Sequence, residues 1–112
     1  MDISLVNPYI RVAMNSVLPA GKEIKRRIIF DYELIYIADG KFLFNYNDID
    51  YPCNKGQFIF IRPGIPHSFN GINADLLQPH IHFDMTHRQD SERVPISFKD
   101  RDELSEKELE II

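Results

Sequence analysis

The chain has 112 residues, a formal net charge of −4 at pH 7 and a single cysteine, Cys53. This length suits one domain with a modest hydrophobic core. The acidic balance provides no general attraction to nucleic-acid phosphates, and a lone cysteine excludes an internal disulfide. No apolar run approaches the ~18 residues of a membrane span, and the N-terminus lacks a signal-peptide pattern. We therefore expect a cytoplasmic protein with no membrane partner.

Short apolar segments separated by turn residues run from Tyr9 to Asp84. Glycine, proline, asparagine and aspartate mark the turns, at positions 19–21, 39–40, 47–48, 54–56, 63–64 and 70–71. This region has no sustained helical period, and its regular short spacing is typical of an all-β sandwich or barrel.

The segment 41–51 has a β-hairpin pattern. Aromatic residues at positions 42, 44 and 46 alternate with their neighbours, and Asn47-Asp48 then turns the chain back. Asp39-Gly40 offers a second hairpin turn. Both dipeptides are therefore predicted to join strands that pair with each other.

Glu33 is an acidic residue within an apolar strand, and alternation places it on the same face as Ile35 and Ile37. If that face is interior, the carboxylate must be hydrogen-bonded or paired, because burying a lone charge is costly. One interpretation is a structural ion pair with Arg27 or Arg62. The other is that Glu33 contacts a bound ligand.

His67 follows the rigid turn at positions 63–66, and Phe69 shares its face of the strand. A single histidine is either a structural residue or a ligand contact. Phe69 is a candidate pocket residue because aromatic faces stack on sugar rings and other flat ligands.

Gln78, His80 and His82 alternate along one strand and therefore point to one face. Two histidines in this spacing can bind a metal, and together with Glu33 or His67 they could form a zinc, iron or nickel site. The alternative is a polar stripe that is exposed or lines a pocket for a polar organic ligand.

Two stretches of the chain resemble the paired motifs of the cupin superfamily. Gly21, Glu33 and Gly40 keep the spacing of the first motif, but Arg27 and Ile29 stand at its two histidine positions. The resemblance therefore implies that two of the four usual metal ligands are missing.

The second cupin motif is represented by Gly56, Gly64 and His67, with Arg62 at the position of its first proline. His67 is the metal-ligand histidine that the chain retains. The resemblance implies a cupin-type double-stranded β-helix, a jelly-roll barrel. Because two ligands are lost, it also favours a polar stripe without a metal cofactor over a metal site.

Within the cupins, the segments 32–36, 63–69 and 81–84 are similar to the N-terminal sensor domain of AraC-family transcription regulators. The resemblance implies a homodimeric module, not an enzyme, that binds a small effector such as a sugar. DNA would be bound only by a separate C-terminal helix-turn-helix domain. The effector pocket is predicted near Glu33, His67, Phe69, Gln78 and His80.

Residues 1–85 are predicted to form the barrel, and residues 86–112 a linker and the start of a C-terminal helix. Ser105 and Glu108 form a capping box, which predicts that the helix begins there. The sequence ends at Ile112, although an isolated helix needs ~12 residues or more to be stable. We therefore expect the chain to continue into a longer protein, the alternative being a docked C-terminal helix that ends here.

A different class of function also fits the residues: a small standalone metal-dependent cupin enzyme, such as an isomerase or oxygenase. Its ligands would be Glu33, His67, His80 and His82, with an open position for substrate or oxygen. A third alternative is a structural or dimerisation module whose barrel is filled by side chains.

Overall fold

The computed structural model describes residues 9–85, which form strands and no helix. The strands are β1 (Tyr9–Met14), β2 (Val17–Leu18), β3 (Ile24–Arg27), β4 (Tyr32–Tyr36), β5 (Lys41–Tyr46), β6 (Ile49–Asn54), β7 (Phe58–Ile61), β8 (His67–Asn70), β9 (Leu76–Leu77) and β10 (His80–Asp84). This part of the chain accordingly has no helix that could cross a membrane. The predicted C-terminal helix falls in residues 86–112, outside the described residues.

The strands form two four-stranded sheets, in the orders β1-β10-β4-β7 and β3-β8-β5-β6, and a short third sheet of β2 and β9. All pairings are antiparallel. Most neighbours are distant in sequence, because the chain repeatedly crosses from one sheet to the other. This is the strand arrangement of a jelly roll, and the predicted all-β class is confirmed.

The predicted hairpin at Asn47-Asp48 joins β5 to β6, with Tyr46 opposite Ile49. Asn47 and Asp48 have φ values of 52° and 67°. A two-residue turn of this hand needs positive φ at both positions, which asparagine and aspartate tolerate better than other side chains. The local sequence is therefore sufficient to specify this hairpin.

The second predicted hairpin, at Asp39-Gly40, is wrong. β4 pairs with β10 and β7, whereas β5 pairs with β6 and β8. Both edges of β4 are already occupied, so the chain crosses to the opposite sheet at this point. Asp39 instead forms an isolated bridge with Leu77.

Replacing Gly40 by alanine is expected to destabilise the fold more than the same change at Gly56. Both residues have positive φ, 102° and 89°, which disfavours any side chain. A Cβ at Gly40 would also lie 3.0 Å from the Asp75 carbonyl oxygen, whereas one at Gly56 would meet nothing within 4 Å. We expect losses of about 3 and about 1 kcal/mol, measured by urea denaturation. Equal losses would show that the crossover is not tightly packed.

The hydrophobic core lies between the two large sheets. Inward and outward residues alternate along β4 and along the first residues of the crossover that follows it. Ile35 on β4 and Ile37 in the crossover both face inward and are fully buried. Phe69 on β8 stacks on Phe42 at 4.9 Å between ring centroids. Charged and polar side chains are buried in the same interior, namely Asp31, Glu33, His67, Gln78, His82 and Asp84. The interior is therefore not purely apolar, and these residues define the candidate site.

Candidate functional site

Glu33 lies at the centre of a buried polar network. The register of β4 against β10 places it directly opposite His82, on the inner face. Its Oε1 accepts a hydrogen bond from Nη2 of Arg27 at 3.3 Å, and its Oε2 lies 3.3 Å from Nε2 of His82 and 4.0 Å from Nε2 of His80. Burial opposes ionisation, but these partners outweigh it and lower the pKa of Glu33. Glu33 is therefore a buried carboxylate.

His82 lies between two carboxylates. Its Nδ1 is 2.9 Å from Oδ1 of Asp31, and its Nε2 faces Glu33. A carboxylate oxygen only accepts hydrogen bonds, so both ring nitrogens of His82 must donate. Burial alone would lower its pKa, but the bonds to Asp31 and Glu33 prevail and raise it to about 9. His82 is therefore an imidazolium at neutral pH.

His67 is held in the opposite protonation state. Its Nδ1 lies 2.9 Å from the carbonyl oxygen of Ile65 and must donate to it, and its Nε2 accepts from Nε of Arg27 at 3.0 Å. Burial, reinforced by the charge of Arg27, lowers the pKa of His67 to about 4 despite the bond to Ile65. The ring is therefore neutral, with its remaining lone pair occupied by Arg27.

Arg27 stands at one of the lost histidine positions of the cupin motif and bridges the two motif residues that remain. Its guanidinium contacts His67 and Glu33 and lies 6.0 Å from the centre of the Phe69 ring. A permanent cation between Glu33 and His67, with the His67 lone pair already engaged, prevents these two residues from sharing a metal ion. The residues at these positions therefore do not fit the metal that many cupins bind.

Gln78 and His80 are joined through Ser16. Nε2 of Gln78 donates to Oγ of Ser16 at 2.7 Å, and this hydroxyl lies 3.3 Å from Nδ1 of His80. Nδ1 of His80 is also 3.0 Å from the carbonyl oxygen of Gln78, which can only accept. His80 therefore carries a proton on Nδ1 and directs Nε2 towards Glu33.

Arg11 extends the network beyond Asp31. The Nη1 atom of Arg11 lies 4.0 Å from Oδ2 of Asp31, and both atoms are buried without a hydrogen-bond partner among the described residues. Arg11 sits where the register of β1 shifts between Ile10 and Val12. A bulge re-aims a side chain, which explains how a residue flanked by Ile10 and Val12 turns inward.

The structure joins four of the five predicted pocket residues into this one network: Glu33, His67, Gln78 and His80. Phe69 lies beside Arg27 but is fully buried in the hydrophobic core. Of the two ion-pair partners considered for Glu33, Arg27 is the one that forms the pair, and Arg62 is exposed. Whether these residues contact a ligand stays a prediction.

Sequence reasoning missed Asp31 and Arg11. Asp31 carried a usable signal, because it lies two positions before Glu33 and so shares the face of Glu33 and Ile35. Arg11 carried none, because a bulge does not follow strand alternation. Arg27 also lies at a register shift, between Ile24 and Arg27 on β3.

A surface cavity of about 420 Å³ lies on the outer face of the β1-β10-β4-β7 sheet, with His80 among its lining residues. Its other lining residues include Met14, Leu34, Tyr36 and Phe58. Glu33, His67, Phe69 and Gln78 are not among the described residues that line this cavity. The network around Glu33 therefore lies on the opposite face of this sheet from the cavity.

Comparison with known proteins identifies the family. The family model for the AraC-like ligand binding domain matches residues 19–93. A predicted oxalate decarboxylase from Thermotoga maritima is 28% identical, with a TM-score of 0.58, covering 65% of each chain. An RmlC-like cupin from Shewanella frigidimarina is 15% identical, with a TM-score of 0.60, covering 74% of this chain and 78% of that one.

Salicylate 1,2-dioxygenase from Pseudaminobacter salicylatoxidans is 17% identical, with a TM-score of 0.55, over 59% of this chain and 19% of that one. This chain thus spans only part of the length of the decarboxylase and the dioxygenase. No curated protein matches it. The likeness to these structures confirms the predicted cupin fold. Together with the match over residues 19–93, it shows that the chain belongs to the family of AraC-like ligand binding domains.

Proposed function

We propose that this domain is the sensor of an AraC-type transcription regulator. It binds a small polar metabolite, such as a sugar, and thereby controls DNA binding by a C-terminal helix-turn-helix domain. The observation that supports this most strongly is the buried network around Glu33. A small core gains little stability from buried ion pairs, because apolar residues of similar volume usually stabilise as well or better. Buried ionisable groups are, in contrast, common at binding sites.

The proposed effector contacts Glu33, His67, Phe69, Gln78 and His80. A hydroxyl-rich ligand suits these groups because it can donate to Oε2 of Glu33 and exchange hydrogen bonds with the amide of Gln78. Binding would shift the packing of β10, which ends at Asp84, two positions before residues 86–112. An effector that prefers one arrangement of this strand would favour that arrangement in the whole regulator.

The remaining parts of the proposal follow from membership of the family. We propose that residues 1–85 form the sensor domain and that residues 86–112 form a linker and the beginning of a helix. The domain is proposed to form a homodimer in the cytoplasm, and DNA contacts belong to the C-terminal domain alone.

A metal-dependent cupin enzyme is the second candidate, and the convergence of Glu33, His80 and His82 favours it. His67 does not join that set, because its Nε2 accepts from Arg27. Turnover of a carboxylic-acid or phenolic substrate by the metal-loaded protein would favour this candidate over the regulator.

Effector binding is expected to raise the melting temperature of the domain and to depend on Glu33. A panel of sugars and sugar acids would be screened by thermal denaturation with a chelator present. A ligand at 100 times its dissociation constant stabilises by about 2.7 kcal/mol. Glu33→Gln is expected to weaken binding about 10- to 100-fold, because it removes a hydrogen bond to a charged group.

Glu23→Gln is the matched control for this experiment, because it makes the same chemical change at an exposed position. It should leave the shift in melting temperature unchanged. If no compound in the panel shifts the melting temperature of the wild type, or if both variants respond equally, the proposed pocket is wrong.

A further inference from the structure

Three potential metal ligands converge within the barrel, and only Glu33 of them is a cupin motif position. One atom from each of Glu33, His80 and His82 lies within 4.8 Å of the others. The Oε2 atom of Glu33 is 3.3 Å from Nε2 of His82 and 4.0 Å from Nε2 of His80. Small movements of these side chains would bring all three atoms into one coordination sphere of about 2.0–2.2 Å radius.

The two histidines are oriented by partners on their other ring nitrogen. Nδ1 of His82 donates to Asp31, and Nδ1 of His80 donates to the carbonyl of Gln78. Metal-binding histidines almost always have such a carboxylate or carbonyl partner, which directs the opposite nitrogen at the metal. Both Nε2 atoms here point to the same carboxylate.

Glu33 is also oriented so that one of its two carboxylate oxygens, Oε2, is available to a metal ion. Its Oε1 accepts a hydrogen bond from Arg27, so Oε2 is the atom that faces the histidines. This separates the two halves of the network: Arg27 and His67 hold one side of Glu33, and His80 and His82 share the other.

We propose that Glu33, His80 and His82 bind a divalent transition-metal ion, of the zinc or iron class. Two imidazoles and one carboxylate suit these ions and leave coordination positions open. The ion would replace the proton that now lies between Nε2 of His82 and Oε2 of Glu33, and this proton would leave to solvent. Two strands, β4 and β10, supply the whole site, and Glu33 on β4 is the one residue that it shares with the cupin motif positions.

The three ligand side chains are largely buried, with exposures of 3% for Glu33, 4% for His82 and 11% for His80. The inference does not rest on the regulator function, because it concerns the metal alone.

Calorimetric titration of the chelator-treated, dialysed protein with Zn²⁺ tests the proposal, with Co²⁺ absorption as a second readout of the ligand field. We expect one equivalent of Zn²⁺ to bind. His80→Ala should weaken binding more than about 100-fold, because losing the hydrogen-bond partner of a metal ligand already costs about 10- to 100-fold, and losing the ligand itself should cost more. His67→Gln, which keeps an acceptor for Arg27, should bind as tightly as the wild type.

Urea denaturation of each metal-free variant would establish that it folds, and His80→Asn would replace His80→Ala if the alanine variant does not. The proposal is overturned if the wild type binds no stoichiometric metal, or if His67→Gln weakens binding as much as the His80 variant. Effector screening uses chelator throughout, so failure of the metal site leaves the proposed sensor function to be judged separately.

Discussion

Replacing His82 by leucine is expected to lower the free energy of unfolding by about 3–5 kcal/mol, as is typical when one partner of a buried charge pair is removed. His82 is the shared cation of Asp31 and Glu33, both of which are almost fully buried. Without it, Asp31 retains Arg11 at 4.0 Å, and Glu33 retains Arg27 at 3.3 Å. Urea denaturation at pH 7 with a chelator present would measure the loss.

His80→Leu is the matched control for this change. His80 lies on the same strand and the same face as His82, but its closest carboxylate oxygen is 4.0 Å away. We expect a loss of about 1 kcal/mol, the net value of an ordinary hydrogen bond. Comparable losses for the two leucine variants would show that the imidazolium of His82 does not hold the carboxylates together.

A double-mutant cycle would separate the charge interaction from packing. Asp31→Asn removes one of the two charges that His82 compensates, so His82→Leu should cost less in that background. We expect a coupling energy of about 1–3 kcal/mol, since the two side chains are in direct contact. Additive losses would assign the cost of His82→Leu to a cavity instead.

The parts of the fold that depend on neighbouring residues could be predicted from the sequence. Strand alternation placed Glu33, Ile35 and Ile37 on one buried face, and Asn47-Asp48 specified its hairpin. Asp39-Gly40 has a similar local signature but serves a crossover. The difference is made by β7 and β10, which are distant in sequence and occupy both edges of β4.

The candidate site could be predicted only in part, because its geometry depends on register and on bulges. His82 meets Glu33 through the pairing of β10 with β4, which no local pattern specifies. The two arginines of the network, Arg11 and Arg27, both lie at register shifts, where alternation no longer predicts the inward face. The sequence therefore indicated which residue types lie inside and offered Arg27 as one of two partners for Glu33, but it did not indicate Arg11 or the pairing of His82 with both carboxylates.

Acidification is expected to remove about 3 kcal/mol of stability through His67. In the unfolded chain this residue takes up a proton near its ordinary pKa of 6.5, whereas in the folded protein burial lowers its pKa to about 4. Between these values the unfolded state binds more protons, so the free energy of unfolding falls as the pH falls. The contribution of His67 is complete above pH 6.5 and is lost progressively towards pH 4.

Urea denaturation between about pH 5 and pH 6.5 isolates this effect, because neither Glu33 nor His82 opposes it there. Glu33 has a lowered pKa, so its own contribution is lost only below its ordinary value of 4.5. His82 has a raised pKa, so its contribution is fully present below 6.5 and is lost only as the pH rises towards about 9. The wild type should therefore lose stability at up to ~1.4 kcal/mol per pH unit in this window.

His67→Gln should flatten that slope, because glutamine can accept the hydrogen bond from Arg27 but does not titrate. The free energy of unfolding of the variant should differ most from that of the wild type near neutral pH. The two values should converge as the pH falls, because the wild type then loses the contribution of His67. If the two proteins instead lose stability equally as the pH falls, a group other than His67 takes up the proton. The neutral His67 that Arg27 and Ile65 require would then be refuted.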